Sequence, residues 1–361
     1  MMQQRYDEAL ALLKRLVSTQ SYSRQEGDTA VIVADWLQER GAEPERYGNN
    51  VVAWHRSSIP GAPVLLLNSH HDTVRPGNGW LTDPFDPVVH DGRLTGLGSN
   101  DAGGSLVVLL AAFIALLDHT DLPYTICMAA TSEEEISGSD GMAMLVRQWM
   151  TDGVDIAVAI VGEPTGMNMA IAEKGLVVLD CTARGRTGHA ARDEGENAIY
   201  VAMRDIEWFR TFTFDRVSPM LGPVKMTVTQ IEAGSQHNVV PDECRFVVDV
   251  RTTDAYVNGE IVDIIRDHVR CDVVPRSLRL QPSSIVETHP LVLAGKRIGM
   301  TTYGSPTLSD QSLLPPGVPS LKIGPGDSAR SHTPNEYLHL DELRHGVDVM
   351  IRWIELFMET T

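Results

Sequence analysis

Short, wholly apolar runs, each closed abruptly by polar residues, set the rhythm of this chain. Val64, Leu65, Leu66 and Leu67 run directly into Asn68, Ser69, His70, His71 and Asp72. Such a run is the pattern of a strand buried on both faces. Residues 124–131 repeat the pattern and lead to Glu133, Glu134 and Glu135; residues 156–161 repeat it and lead to Gly162, Glu163 and Pro164. Residues 50–54 read as a further strand. Between the strands the apolar positions shift to helical spacing. Ala9, Leu10, Leu12, Leu13 and Leu16 mark one helix over 5–17. Residues 29–40 form a second, stopped by Gly41, and 103–118 and 141–150 form two more. Strands alternating with helices predict an α/β fold with a mainly parallel sheet and helices on both faces.

After residue 173 the texture changes. Residues 176–183, 225–231 and 244–251 have β character, and the last alternates apolar with polar positions, as a strand with one exposed face does. Helical patterns fall at 197–211 and 258–269. The order β-α-β-β-α-β suits a ferredoxin-like α+β unit. The α/β texture returns with a helix near 291–299, a strand near 320–323 and a final helix near 340–358. The expected organisation is therefore an α/β domain in two parts, 1–173 and 288–361, with a smaller α+β domain, 174–287, inserted between them.

Length and charge narrow the function. A chain of 361 residues with 43% hydrophobic positions can bury two cores. Its 30 basic and 48 acidic residues give a net charge of −18. That surface disfavours nucleic acid and anionic membranes as partners, while leaving a small anionic substrate open. Cys127, Cys181, Cys244 and Cys271 form no C-x-x-C pair, so a thiolate zinc site is not expected, and scattered cysteines fit a reducing cytoplasm. Residues 1–8 lack the apolar core of a signal peptide. The longest apolar stretch, 106–117, falls short of a bilayer span and reads as a buried helix.

The acidic residues are not evenly spread. His70 and Asp72, Asp101, the Glu133–Glu135 run and Glu163 all follow predicted strands, and His332 adds a late imidazole. Singly, each has an ordinary explanation: a polar loop, a helix cap, a solvated helix start, a turn. Together, at successive strand ends of one sheet, they form a ligand set. Histidines and carboxylates without cysteine suit zinc, manganese or cobalt. Five ligands are too many for one open tetrahedral site and suit two ions sharing a carboxylate. A carboxylate left off the metal would then act as general base. In an extended chain His70 and Asp72 point the same way and His71 the other, so Asp72 can accept the second N–H of a metal-bound His70.

These motifs resemble the di-zinc amidohydrolase family of acetylornithine deacetylase, succinyl-diaminopimelate desuccinylase, aminoacylase and carboxypeptidase G. The matching segments are Ser69 to Val74, Gly96 to Gly104, Ser132 to Glu135, Gly162 to Thr165, Gly188-His189 and His332, in the family's order over essentially the whole chain. The resemblance implies two Zn2+ ions, with Co2+ or Mn2+ as substitutes. It assigns His70 and Glu163 to one ion, Glu135 and His332 to the other, and Asp101 as the bridge. Glu134 becomes the general base and Asp72 the partner of His70. A register using Glu133 and Glu134 instead is the alternative. A cis peptide is implied after Asp101. The inserted domain corresponds to the family's lid and dimerisation domain, so a homodimer is implied. There His189 corresponds to the oxyanion-stabilising histidine, Asn238 to a substrate-contacting asparagine and Arg251 to a residue for the substrate carboxylate. A strand-edge salt bridge is the competing role for Arg251.

The implied reaction removes an acetyl or succinyl group from an N-acyl amino acid. Within the family the Gly162 to Thr165, Glu173 to Gly175 and Gly188 to Arg192 segments look most like the acetylornithine branch, which points to N-acetyl- or N-succinylornithine and arginine biosynthesis. Succinyl-diaminopimelate desuccinylation is the nearest alternative, followed by an aminopeptidase or dipeptidase on the same scaffold; a non-catalytic binding module comes last. Lys174, Arg192 and Arg330 are the basic residues available for a succinyl carboxylate.

Overall fold

The strand Val64–His70 is buried at all seven positions, so the burial continues past the apolar run into Asn68, Ser69 and His70. In the computed structural model, which describes residues 2–315 and 317–360, this strand is central to one sheet. It pairs in parallel with Thr125–Thr131 on one side and Ile156–Val161 on the other. Ser320–Lys322 extends the parallel set beyond Ile156–Val161. Antiparallel strands flank it: Asn50–His55 with Pro44–Tyr47 at one side, and Met169–Glu173 at the other. The polar continuation is tolerated because each side chain finds a partner. Asn68 Nδ2 donates to Thr131 Oγ1 (2.9 Å), and Ser69 Oγ to the Gly162 carbonyl (2.9 Å).

The helix Gly104–Leu116 is buried at every position but Ile114. It packs against Met2–Val17 and the terminal helix Leu340–Glu359. With the turn before it, Ser99–Leu116 is long and apolar enough to cross a membrane by composition, yet 89% of that stretch is buried within the protein. Its apolar all-round surface is that of a core helix.

Two units emerge from the chain. One holds the residues through Ile171, Ser284–Tyr303 and everything from Ser309 onward; the other holds Ala172–Ser283 and Gly304–Leu308. The second unit has a four-stranded antiparallel sheet in the order Lys225–Ala233, Glu243–Thr252, Gly175–Arg184, Asp272–Pro275. Gly175–Arg184 alternates buried and part-exposed residues along its length, as a sheet covered on one face requires. Helices Ala198–Thr211 and Asn258–His268 complete the β-α-β-β-α-β order and cover that face, with Phe246, Leu179, Phe209 and Ile261 in the core between. Asn197 caps its helix by accepting from the Ile199 N–H (2.9 Å).

Candidate metal centre

Five segments bring His70, Asp72, Asp101, Glu134, Glu135, Glu163 and His332 together in the first unit: four follow parallel strands of the large sheet, while that of Asp101, expected at the same sheet, follows Arg93–Thr95 of a separate antiparallel three-stranded sheet. His70 Nδ1 lies 3.0 Å from the Asp72 carbonyl oxygen and 3.4 Å from Asp72 Oδ1. A carbonyl can only accept, so Nδ1 carries a proton, and Nε2 is the nitrogen turned toward the site. Nε2 faces carboxylates: Asp101 Oδ1 at 3.3 Å, Glu134 Oε2 at 4.0 Å and Glu163 Oε1 at 4.0 Å. On the far side of Asp101, His332 Nε2 lies 3.5 Å from Asp101 Oδ2 and 2.9 Å from Glu135 Oε2. Donor atoms of His70, Glu134 and Glu163 fall within 4.8 Å of one another, and so do those of His70, Asp101 and Glu135.

Asp72 organises the group. Its carboxylate accepts from Ser23 Oγ (2.7 Å) and from the backbone N–H groups of Glu134 (3.1 Å) and Glu135 (3.2 Å). Asp72 thus orients His70 chiefly through its carbonyl and, through its carboxylate, fixes the turn presenting the two glutamates. Glu133 has φ +58°, a left-handed conformation that redirects the chain, and Glu134–Ile136 follow as a single 3₁₀ turn. The Glu133 side chain turns away from His70: its Oε2 accepts from the Asp140 N–H (3.2 Å), and Arg24 Nε lies 3.6 Å from its Oε1. Gly138 packs so closely on that carboxylate that a Cβ there would collide with it. Glu134 and Glu135 are therefore the two glutamates that face the imidazoles. His71 points the other way, buried between Thr29 Oγ1 (2.9 Å) and the Asn49 carbonyl (3.0 Å). The Asp101–Ala102 peptide is cis.

The electrostatics are those of a site built for positive charge. Burial pushes Glu163 up to about 8, with Asp101 adding to the rise and His70 and Lys322 opposing it. Burial also holds Glu134 well above the ordinary carboxylate range, and Glu163 and Asp310 reinforce it. Burial alone would lower His70, but Asp101, Asp72 and Glu134 outweigh it and hold it well above its usual value. The hydrogen bond that His332 donates to Glu135 lifts the imidazole to about 9. Carboxylates crowded around two imidazoles, each with its Nε2 turned inward, fit divalent cations by donor type and by charge.

Three contributors escaped the sequence reading: Ser23, Asp310 and Glu336. Asp310 Oδ2 accepts from Thr131 Oγ1 (2.7 Å), and burial raises its pKa to about 6. Glu336 is buried and accepts from the backbone of Asn100 and Asp101; burial and the Asp101 charge push it up to about 8. A second acid four residues beyond His332 was the only available signal for it.

The other expected site residues lie in the second unit. His189 and Val239 pair across a two-residue ladder, and the Asn238 carbonyl accepts from the Ala190 N–H (3.0 Å), so the histidine and asparagine segments are neighbours there. Arg251 is ion-paired with Asp249 through two hydrogen bonds (2.9 and 3.0 Å), the strand-edge role. Among the basic residues considered for an acyl carboxylate, Lys174 Nζ donates to the Pro223 carbonyl (3.0 Å) and Arg192 is exposed, 3.9 Å from Glu194. In the first unit Arg330 is committed to Glu342 through two hydrogen bonds (2.6 and 2.9 Å).

Residues 66–356 match the model of the peptidase family M20/M25/M40. The chain belongs to this family. It is a metal-dependent amide hydrolase. Among curated relatives it is 27% identical over 363 residues to a succinyl-diaminopimelate desuccinylase of Xanthomonas campestris pv. campestris, covering 93% of this chain and 95% of that protein. It is 28% identical over 271 residues to succinyl-diaminopimelate desuccinylase 2 of a Ruegeria species, covering 71% of this chain and 68% of that one. Among solved structures, the aminopeptidase PepT of Bacillus cereus superposes with a TM-score of 0.79 at 20% identity, covering 98% of each chain. The Bacillus subtilis YXEP protein, described as a dinuclear metal-binding peptidase of the M20 family, superposes with a TM-score of 0.77 at 15% identity, covering 99% of this chain and 100% of that one. These structural likenesses show the shared fold.

Proposed function

We propose that this protein removes a succinyl group from an N-succinyl amino acid, with N-succinyl-diaminopimelate as the leading substrate. One observation carries the choice: the match to a desuccinylase that spans 93% of this chain and 95% of the relative. It favours the reading placed second on sequence grounds over N-acylornithine.

The residues in place suit that chemistry. His70 and Glu163 would hold one zinc, Glu135 and His332 a second, and Asp101 both. Bound there, the ions would supply an acidified water and a polarised acyl carbonyl. Glu134, whose burial raises its affinity for a proton, is suited in its ionised form to take one from the attacking water and return it to the leaving amine. Asp72 keeps Nδ1 of His70 protonated and its Nε2 inward. By distance to His70, Glu134 and Glu163 are equivalent at 4.0 Å, so the base assignment rests on the family resemblance. His189 would stabilise the developing oxyanion and Asn238 would contact substrate. Arg251 serves the substrate carboxylate only if it leaves Asp249.

A homodimer through the second unit belongs to the same reading. Lys225–Ala233 is an edge strand with one neighbour among the described residues and is exposed along most of its length. Such an edge invites pairing with a second copy. Light scattering on the purified chain should give twice the monomer mass; a monomer at micromolar concentration would remove this part.

The deciding experiment is a deacylation assay with zinc supplied. The substrates are N-succinyl-diaminopimelate, N-succinylornithine, N-acetylornithine and free dipeptides. Fastest turnover of the succinyl-diaminopimelate compound is expected. Turnover of N-acetylornithine alone would restore the ornithine reading, and turnover of dipeptides alone would replace the deacylase by a peptidase.

A further inference from the structure

Two loops behind the carboxylate cluster hold each other through one side chain apiece. The first carries Asn100 and Asp101; the second runs from Asp327 past His332 to Glu336. Glu336 Oε1 accepts from the backbone N–H groups of both Asn100 (2.8 Å) and Asp101 (2.9 Å). In return, Asn100 Nδ2 donates to the Asp327 carbonyl (3.1 Å) and to Ser331 Oγ (3.3 Å), while its Oδ1 accepts from the Asp327 N–H (3.0 Å). Backbone joins in, as the Gly96 N–H donates to the Glu336 carbonyl (2.9 Å). Asn100 is fully buried and Glu336 is 2% exposed. The second loop is shaped to receive them: Gly326 has φ +88°, and a Cβ there would collide with Asn100 Oδ1.

Keeping a carboxyl and an amide in so dry a place is costly unless their hydrogen bonds are met. Here they are met by backbone groups of the opposite loop. The two loops differ in what they deliver. Asp101 comes from one and His332 from the other, with 3.5 Å between Oδ2 and Nε2. An ion held by Glu135, His332 and Asp101 needs both loops in register. An ion held by His70, Glu163 and Asp101 needs only the first.

We propose that Asn100 and Glu336 form a reciprocal clamp that sets the separation of Asp101 and His332 and thereby governs occupancy of the second metal position. This rests on the two-metal reading above. Glu336 is a positioning residue: by gripping the Asn100 and Asp101 N–H groups it holds its own loop, and His332 with it, against the first. The clamp uses an acceptor oxygen and requires no charge, so a glutamine, with its amide oxygen in place of Oε1, preserves it.

The test is calorimetric titration of zinc into the metal-stripped full-length chain. Wild type, Glu336→Gln, Glu336→Ala and Asn100→Ala are compared, with circular dichroism and a thermal midpoint for each. Wild type should take two zinc ions. Fewer than two would overturn the two-metal reading, and the clamp with it. With two bound, Glu336→Ala and Asn100→Ala should keep the first ion near wild-type affinity and bind the second about 10–100-fold more weakly, while Glu336→Gln keeps both. A general loss of packing would weaken both ions alike, so equal weakening overturns the clamp. Two zinc ions at wild-type affinity in both alanine variants also overturn it. If the alanine variants do not fold, Glu336→Asp, one methylene shorter, is compared with Glu336→Gln. Loss of the second ion in the aspartate variant alone supports the clamp, and identical binding by both overturns it.

Discussion

At the scale of single residues, three consecutive glutamates illustrate how neighbours in sequence acquire different environments. Glu133 anchors the turn, while Glu134 and Glu135 face the imidazoles. Glu134→Gln should lower kcat/KM by about 10²–10⁴-fold with zinc content unchanged, as steady-state kinetics and metal analysis would show. Glu133→Gln keeps an acceptor for the Asp140 N–H and should leave turnover within a few-fold of wild type. If the two effects are reversed, the base is Glu133. Asp72→Ala leaves the backbone carbonyl that accepts from His70 Nδ1 but removes the carboxylate beside it and the acceptor for two backbone N–H groups, so zinc affinity should fall about 10–100-fold in a competition titration. The ligand types were readable from the motifs because metal chemistry restricts donors. Ser23 was not, because a serine 49 residues before its acceptor has no local pattern to announce it.

At the scale of elements, the buried strands and the core helix were legible because burial on both faces demands an unbroken apolar run. What the run could not reveal is that the Val64–His70 strand continues three residues into polar side chains, each with a hydrogen-bond partner on a neighbouring strand or loop. Close approach of strands is equally hidden. A Cβ at Gly162 would lie 2.8 Å from Leu109 Cδ1 and 2.9 Å from Ser69 Cβ. Gly162→Ala should therefore cost about 1–3 kcal/mol in denaturant unfolding and weaken zinc binding, because Glu163 is the next residue. Unfolding at the wild-type midpoint would show that the sheet can widen there.

At the scale of the whole molecule, the −18 net charge is distributed with a purpose in at least one place, where Asp72, Asp101, Glu134, Glu135 and Glu163 gather around two imidazoles. Mutual repulsion among these groups should make the metal-free protein less stable. Zinc at about 100 times its Kd should stabilise the fold by roughly 2.7 kcal/mol per independent site. Scanning calorimetry with zinc and with a chelator would register this as a higher and a lower midpoint; no difference would mean that the cluster does not bind metal in the folded state. The second unit was legible as an insertion because its alternating strands differ so plainly from the fully buried ones. That Gly304–Leu308 also belongs to it was invisible, since five residues have no periodicity to read.

The sequence alone determined the alternation of strands and helices, the β-α-β-β-α-β order of the second unit and which side chains could serve as donors at the candidate metal site. These follow from local periodicity and from the few side chains able to bind a cation. Three-dimensional contact alone selected which glutamates face the imidazoles. It also tied Asp72 to Ser23, committed Arg330 to Glu342 and joined Asn100 to Glu336. Each of these depends on a distance between residues far apart in the chain, and such distances exist only once the backbone has folded.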